Sequence, residues 1–310
     1  MSDINYNRKD FINIANTWID LLTDKKDVVS TSNPKAFLLG GQAGAGKTTL
    51  HRYISEELNG NVIVIDNDSF KQSHPNLDQL IQKYGKNYIE KVTPFSNELT
   101  EYLINRLSDL KYNLIIEGTL RTTETPIKTA ELLKQKKYEV NLYVMAVSKE
   151  LSSLAIDKRY EEGYSKNPDT ARHTPKDIHD TIVNNLPDNI ETLYEKQIFK
   201  DIKLINRQGE ELYQMNETPL KSPKNALKNE LDRKLAKEEY LNEVNHILAL
   251  AKINDRLDDP SIKNLLKKKE KLTEKEKSDL FCIDSVKKID SHITKNNHNK
   301  DKNKDKKLEK

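Results

Sequence analysis

One short segment constrains the fold of this chain more than any other, a Gly-x-x-x-x-Gly-Lys-Thr run that follows the apolar stretch Ala36–Leu39. Glycines at this spacing let successive backbone N–H groups point at phosphate oxygens, and the helix that follows presents its positive dipole end to the same anion. A helical pattern over Thr49–Glu57 stands where that helix is required. The segment therefore predicts a phosphate-binding loop between a strand and a helix.

Different residues of this loop are expected to bind different parts of a nucleoside triphosphate. The predicted nucleotide-binding residues are Gly41, Gln42, Ala43, Gly44, Ala45, Gly46, Lys47, Thr48 and Thr49. Lys47 supplies positive charge to the β- and γ-phosphates, and the Thr48 hydroxyl is the expected metal ligand, for Mg²⁺. The chain has no Asn-Lys-x-Asp segment for guanine recognition. ATP with Mg²⁺ is therefore the expected cofactor.

Further apolar runs alternate with helical patterns, which is typical of a parallel sheet covered by helices. The predicted strands after the first are Val62–Ile65, Leu114–Ile116, Val140–Val147 and Ile202–Ile205, with a turn into Glu211–Tyr213. The predicted helices include Phe11–Leu22, Lys149–Tyr164, Pro175–Asn185 and Pro187–Lys196. The fold class is therefore α/β, a P-loop kinase-like parallel sheet flanked by helices, followed by a helical and disordered Lys-rich C-terminal tail.

Charge separates the C-terminal end from the rest of the chain. The last fifty residues contain 16 Lys and 9 Asp plus Glu, whereas the whole chain has a net charge of only +3, so residues 1–260 are net acidic. We expect a kinase domain over residues 1–235 that includes the N-terminal helix, a charged helical extension over 236–293 and a disordered tail over 294–310. An acidic body argues against nucleic acid as a partner.

Two further absences in the sequence bear on location. No apolar run reaches the ~18 residues of a membrane span, so we expect no membrane association. Cys282 is the sole cysteine, which excludes an intrachain disulfide and suits a reducing compartment. A cytoplasmic location is the resulting expectation.

Carboxylates follow two of the predicted strands. Asp66 and Asp68 follow the second strand, and Glu117 follows the third, with Gly118 after it. Ligands in open α/β sheets bind outside the carboxyl ends of the strands, so a carboxylate there can bind Mg²⁺ through water or accept the proton of an attacking hydroxyl. The pattern leaves the choice between Asp66 and Asp68 open.

Phosphoryl transfer also needs cations at the phosphate oxygens, and arginine suits this role. Spacing alone offers Arg121, Arg159 and Arg172 as candidates. The histidines are dispersed, and we expect His74, His173 and His179 at the surface or in loops rather than as metal ligands.

Several long blocks together resemble the zeta toxin family of bacterial toxin–antitoxin systems, from about residue 40 to about residue 233. The blocks are GQAGAGKT, NVIVIDNDSFKQSHPN, VTPFSN, RLSDLKYNLIIEGTLRTTETPIKTA, YVMAVSKE and TARHTPKDIHDTIVNNLP. The resemblance implies an ATP-dependent kinase that phosphorylates the 3′-hydroxyl of UDP-N-acetylglucosamine and thereby blocks cell-wall synthesis. It also implies an epsilon-type antitoxin as the protein partner.

The resemblance assigns roles to individual residues. It implies Asp68 as the general base, with Lys47, Arg159 and Arg172 as the other catalytic residues at the phosphates. The implied substrate-binding residues are Asp68, Glu101, Glu117, Thr119, Arg121 and Thr129. The sequence departs from the family pattern at Leu120, where a close relative has glycine, and we expect this leucine side chain to point away from the substrate.

Two other functions remain compatible with the motifs. One is a kinase of the same scaffold that acts on another hydroxyl, such as that of an antibiotic or a polynucleotide 5′ end. The other is a non-catalytic, ATP-gated interaction protein whose basic tail contacts a partner.

Overall fold

The computed structural model describes residues 6–168, 171–218 and 221–273. One sheet of six strands forms the centre of the fold, in the order β2-β3-β1-β4-β5-β6, and β6 alone runs antiparallel to its neighbour. The strands are β1 (Lys35–Gly40), β2 (Ile63–Ile65), β3 (Leu114–Ile116), β4 (Glu139–Met145), β5 (Ile202–Ile205) and β6 (Glu211–Gln214). This architecture confirms the predicted α/β class with its mostly parallel sheet.

Helices precede, connect and follow these strands. They are α1 (Arg8–Thr23), α2 (Thr48–Glu57), α3 (Asn67–Phe70), α4 (Leu77–Tyr84), α5 (Tyr88–Asp109), α6 (Glu124–Gln135), α7 (Lys149–Lys166), α8 (Lys176–Glu195), α9 (Pro223–Leu231), α10 (Lys237–Ile253) and α11 (Pro260–Thr273). None of the helices in the described ranges is long and apolar enough to cross a bilayer.

The apolar runs become strands because helices cover the sheet on both faces. Every residue of β4 after Glu139 is buried, as are all residues of β3 and β5. Strands buried on both faces read as continuous apolar runs rather than as alternating patterns. The central sheet could therefore be predicted directly from the sequence.

Helix α8 differs from the prediction, which divided it before Pro187. The structure has one continuous helix with Pro187 inside it. A proline removes one backbone hydrogen bond and usually breaks or kinks a helix. Here the residues on either side of the proline, Leu186 and Ile190, are fully buried in the main core, and this packing outweighs the lost bond.

The described chain divides into two compact units. The first contains the sheet and comprises residues up to 153 together with 174–234. The second combines residues 154–173, within the range expected for the kinase domain, with the described residues from 235 onward. Its core contains Leu154, Val244, Leu248 and Ile262. The rest of the predicted extension, from residue 274, and the predicted tail over 294–310 lie outside the described residues.

Candidate functional site

The loop between β1 and α2 has a backbone suited to binding an anion. Gly44 and Gly46 have φ angles of +74° and +87°, in the left-handed region that residues with a side chain disfavour. Alternation of such residues with ordinary ones turns successive N–H groups toward one side of a loop. The Lys47 side chain is largely shielded from solvent, and the exposed Thr48 begins α2. The loop therefore lies between a strand and a helix, with backbone angles suited to the predicted phosphate binding.

Arg207, in the turn between β5 and β6, supports this loop from outside. Its Nε donates to the carbonyl oxygen of Ala45 at 3.3 Å, and its Nη2 donates to the carbonyl oxygen of Gly44. When the N–H groups of a loop turn toward a ligand, its carbonyl groups turn away and need other partners. The guanidinium satisfies two of them and adds positive charge beside the loop.

A buried polar relay holds the second residue of the loop. Gln42 is fully buried, and its Nε2 donates to the carbonyl oxygen of Val147 at 2.7 Å and to the Ser152 hydroxyl at 3.1 Å. The Ser152 oxygen lies 2.9 Å from Nε2 of His179, which is buried on α8. The relay therefore ties the phosphate loop to the first turn of α7 and to α8.

The strand order places Glu117 beside the phosphate loop. Ile116, the last residue of β3, pairs with Leu38 of β1 on one side and with Ile65 of β2 on the other. A Cβ atom on Gly118 would lie only 3.0 Å from the carbonyl oxygen of Leu39, so glycine permits this close approach of the two strand ends. The carboxyl ends of β1, β2 and β3 consequently meet at one edge of the sheet.

Lys47 and His51 flank the Glu117 carboxylate. Its Oε2 lies 3.9 Å from Nζ of Lys47, and its Oε1 lies 2.9 Å from Nε2 of His51. Burial raises the pKa of Glu117, but the contact with His51 and the charge of Lys47 outweigh this effect, so the net pKa lies below the ordinary value. The charge of Asp68 acts in the opposite direction, toward a higher pKa. Glu117 is therefore ionised at neutral pH and is electrostatically coupled to Lys47 and Asp68.

Asp66 and Asp68 have different local roles. Asp66 caps α3, since its Oδ1 accepts from the backbone N–H of Asp68 at 3.0 Å and its Oδ2 accepts from the Ser69 hydroxyl at 2.7 Å. The Asp68 carboxylate is 58% exposed, and its Oδ1 lies 2.5 Å from Nζ of Lys71. Both oxygens of Asp66 have a structural role, whereas the Asp68 carboxylate is accessible to a ligand.

The substrate-binding residues implied by the resemblance follow β3 or lie on neighbouring helices. Thr119 and Arg121 flank Leu120 in the turn after Glu117, and Thr129 is half-buried on α6. Glu101 is exposed on α5, next to Thr100. Thr100 accepts a hydrogen bond from Asn67 of α3 at 2.9 Å, so the element that carries Asp68 is anchored beside Glu101.

Arg159 and Arg172 belong to the second compact unit, whereas Lys47, Asp68 and Glu117 belong to the first. Arg159 is exposed on α7, and Arg172 is exposed in the segment that follows this helix.

Helix α7 is held within the second unit by Arg256. The Nε of Arg256 donates to the carboxylate of Glu161 at 3.1 Å, and this carboxylate is only 1% exposed. The guanidinium also lies over the rings of Tyr160 and Tyr164. Arg256 therefore stabilises the part of α7 that carries Arg159.

Sequence reasoning missed several side chains that shape the site, namely Gln42 as a buried anchor, His51, Ser152, His179, Asn189 and Arg207. Of the three histidines expected at the surface or in loops, His173 is exposed, His74 is buried in the loop before α4, and His179 is buried on α8. The prediction was wrong for His179, because an imidazole packs readily in a core when its nitrogens have partners. Only Arg207 could have been found from its place in the sequence. It follows the carboxyl end of β5, as Glu117 follows the carboxyl end of β3.

The donor set suits Mg²⁺ bound together with nucleotide. No cluster of three or more His, Cys, Asp or Glu side chains that could hold a metal occurs within the described ranges. Mg²⁺ is usually held by one or two protein oxygens, water and substrate phosphates rather than by a protein cage. The Thr48 hydroxyl, exposed at the start of α2 directly after Lys47, supplies such an oxygen.

Comparison with known proteins relates this site to one family. The zeta toxin family model matches residues 19–218. Toxin zeta of Streptococcus pyogenes is 48% identical over 269 residues, which cover 87% of this chain and 93% of the relative. Toxin PezT of Streptococcus pneumoniae is 50% identical over 61% of this chain and 74% of its own length.

Solved structures agree with these relationships. A structure from the PezAT toxin–antitoxin system of Streptococcus pneumoniae has a TM-score of 0.70 and 37% identity, covering 85% of this chain and 98% of its own. A structure of AvrRxo1-ORF1:-ORF2 with ATP, at 14% identity and a TM-score of 0.53, covers 86% and 90% respectively and shares the fold alone. The family match and the identity over most of the chain establish that this protein belongs to the zeta toxin family.

Proposed function

We propose that this protein is the toxin of a toxin–antitoxin system and acts as an ATP-dependent kinase. The proposed reaction transfers the γ-phosphoryl group of ATP to the 3′-hydroxyl of UDP-N-acetylglucosamine in the cytoplasm, and the product blocks cell-wall synthesis. The observation that carries this proposal is the meeting of Lys47 and Glu117 at the edge of the sheet that holds the phosphate loop. A loop that only binds nucleotide does not need a carboxylate, such as that of Glu117, coupled to its lysine.

Nucleotide binding is assigned to the loop of residues 41–49. Its N–H groups bind the phosphates, Lys47 neutralises the β- and γ-phosphate oxygens, and Thr48 holds Mg²⁺. Bound Mg²⁺ supplies neutralisation of the charge on the transferring phosphoryl group. In the absence of nucleotide the charge of Lys47 is balanced by Glu117, so ATP competes with Glu117 for this lysine.

The general base in this proposal is Asp68. A sugar hydroxyl has a high pKa, so a carboxylate within hydrogen-bond reach mainly orients it and accepts its proton late in the transfer. The local geometry favours Asp68 over Asp66, because both Asp66 oxygens already accept hydrogen bonds at the start of α3. The neighbouring Lys71 stabilises the charged form of Asp68.

The sugar nucleotide is assigned to the side chains around β3 and its neighbours. The proposed contacts are Asp68, Glu101, Glu117, Thr119, Arg121 and Thr129. Arg159 and Arg172 are proposed to stabilise charge on the phosphoryl oxygens during transfer, a role that suits the planar arginine side chain.

The proposed protein partner is an epsilon-type antitoxin. Support comes from the PezAT system, a toxin–antitoxin pair whose structure resembles this chain over most of its length. The first competing function is a kinase for another small-molecule or polynucleotide hydroxyl. The second is an ATP-gated interaction protein.

Two variants test the proposal. Asp68→Asn keeps the size of the side chain and removes its basicity, so it should abolish transfer to UDP-N-acetylglucosamine while a fluorescent ATP analogue still binds. Lys47→Ala should reduce both transfer and the growth arrest that follows expression in bacteria. Unchanged turnover in Asp68→Asn would remove this residue from the mechanism, and full toxicity of Lys47→Ala would contradict killing by kinase activity.

A further inference from the structure

The turn after β3 contains a residue in an unusual conformation. Leu120 has a φ of +52°, in the left-handed region where a bulky residue is rare. Such a conformation is unfavourable for a residue with a side chain and persists only where the surroundings fix it. The neighbours of Leu120 in sequence are Thr119 and Arg121.

Packing against the phosphate-loop strand supplies the first of these constraints. The Leu120 side chain is buried, and a Cβ atom placed on Gly40 would lie 2.3 Å from its Cδ1. Gly40 is the last residue of β1, directly before the phosphate loop. The absence of a side chain there leaves the space that Leu120 fills, so this side chain packs into the domain.

Asn189 supplies the second constraint. Its Nδ2 donates to the carbonyl oxygen of Leu120 at 2.8 Å and to that of Arg121 at 3.1 Å. A primary amide nitrogen has two hydrogens, so a single side chain can satisfy both carbonyl groups at once. Asn189 lies on α8, the same helix whose His179 is joined through Ser152 to Gln42 of the phosphate loop. Helix α8 therefore bonds directly to the turn after β3 and is linked through Ser152 to the phosphate loop.

We propose that Asn189 is a positioning residue for the alcohol substrate. By holding the carbonyl groups of Leu120 and Arg121, it fixes the turn in its strained conformation and aims the side chains of Thr119 and Arg121 at the sugar nucleotide. This role rests on the proposed function, because Thr119 and Arg121 are proposed there to bind that substrate. Asn189 itself does not react.

The substitution Asn189→Asp tests this role with little change in size. An aspartate cannot donate to two carbonyl groups, and its charge is repelled by them. Calorimetry should show the dissociation constant for UDP-N-acetylglucosamine rising about tenfold, which corresponds to ~1.4 kcal/mol, with ATP affinity within twofold of wild type. Asn184→Asp makes the same chemical change at an exposed position of α8 and should leave both affinities unchanged. Asn189→Gln keeps the amide donor and should recover part of the loss.

Hydrogen exchange provides a second readout that does not depend on substrate. Amides of residues 118–122 should exchange faster in Asn189→Asp than in wild type or Asn184→Asp, because the turn loses its restraint. Unchanged exchange, unchanged affinity for the sugar nucleotide, or an equal loss of ATP affinity would each overturn the role of Asn189. Failure of the wild-type protein to bind UDP-N-acetylglucosamine would instead contradict the proposed function on which this role rests.

Discussion

His51 lies on α2, one turn beyond Thr48, and its imidazole is 2.9 Å from the carboxylate of Glu117. The same carboxylate faces Lys47 through its other oxygen. In the proposed ATP complex, we expect His51 to keep Glu117 oriented beside the phosphate loop when Lys47 turns toward the phosphates.

Replacement of His51 by alanine should shift the acid limb of the activity profile to higher pH. The His51 contact lowers the pKa of Glu117, so its loss raises that pKa, and protonation then removes the charge of Glu117 at a higher pH. The depressed pKa of Glu117 also contributes stability that is present above the usual carboxyl pKa and lost as pH falls through the folded value. The check is kcat/KM as a function of pH, with the exposed Glu56→Ala on the same helix as the control. An unmoved acid limb would show that His51 does not control Glu117.

Replacement of Arg207 by methionine should weaken ATP binding about tenfold, because the phosphate loop loses a charged partner for two of its carbonyl groups. Arg207→Lys should recover part of the affinity, since a single ammonium keeps the charge but lacks the planar fork. Fluorescence titration with an ATP analogue measures the effect, and the exposed Gln208→Ala serves as the control. Equal affinity in Arg207→Met and wild type would mean that the loop keeps its shape without this support.

Substitution Ser152→Ala should lower the free energy of unfolding by about 1–3 kcal/mol, because it removes one of the two hydrogen-bond partners of Gln42 Nε2 and the partner of Nε2 of His179. Urea-induced unfolding measures this change, and Ser153→Ala at the next position provides the control. A loss no greater than that of the control would indicate that the relay is not needed for stability.

The ion pair between Arg256 and Glu161 should contribute to the stability of the second unit. Arg256→Met leaves the buried Glu161 carboxylate with the hydrogen bond from the Asn254 amide but without its cation, which we expect to cost about 3–5 kcal/mol and to speed hydrogen exchange in α7. The double variant with Glu161→Gln removes the uncompensated charge and should regain much of this loss. A double variant as unstable as the single one would argue that packing against Tyr160 and Tyr164, rather than charge, dominates.

The sheet and the phosphate loop could be predicted because their signals are local. Buried parallel strands are continuous apolar runs, and the glycine spacing at 41, 44 and 46 follows directly from the backbone angles of the loop. The strand order β2-β3-β1 then brings Glu117 beside the loop, as expected for a carboxylate at a strand end.

The supporting contacts could not be predicted because they join distant parts of the chain. Arg207 bonds residues more than 160 positions earlier, and Asn189 bonds a turn 68 positions away from it. The composition of the second unit has the same cause, since residues 154–173 group with α10 and α11, which lie far from them in sequence. Helical periodicity gives no information about which partner an apolar face meets.

The proposed reaction ends with a phosphoryl group on the 3′-hydroxyl of UDP-N-acetylglucosamine. The most direct test is mass spectrometry with phosphorus NMR of UDP-N-acetylglucosamine after incubation with the purified protein, ATP and Mg²⁺. We predict a sugar nucleotide heavier by one phosphoryl group, carried on the 3′-oxygen, with one ADP formed for each product molecule. An unmodified sugar nucleotide, or a phosphoryl group on another oxygen, would contradict the account.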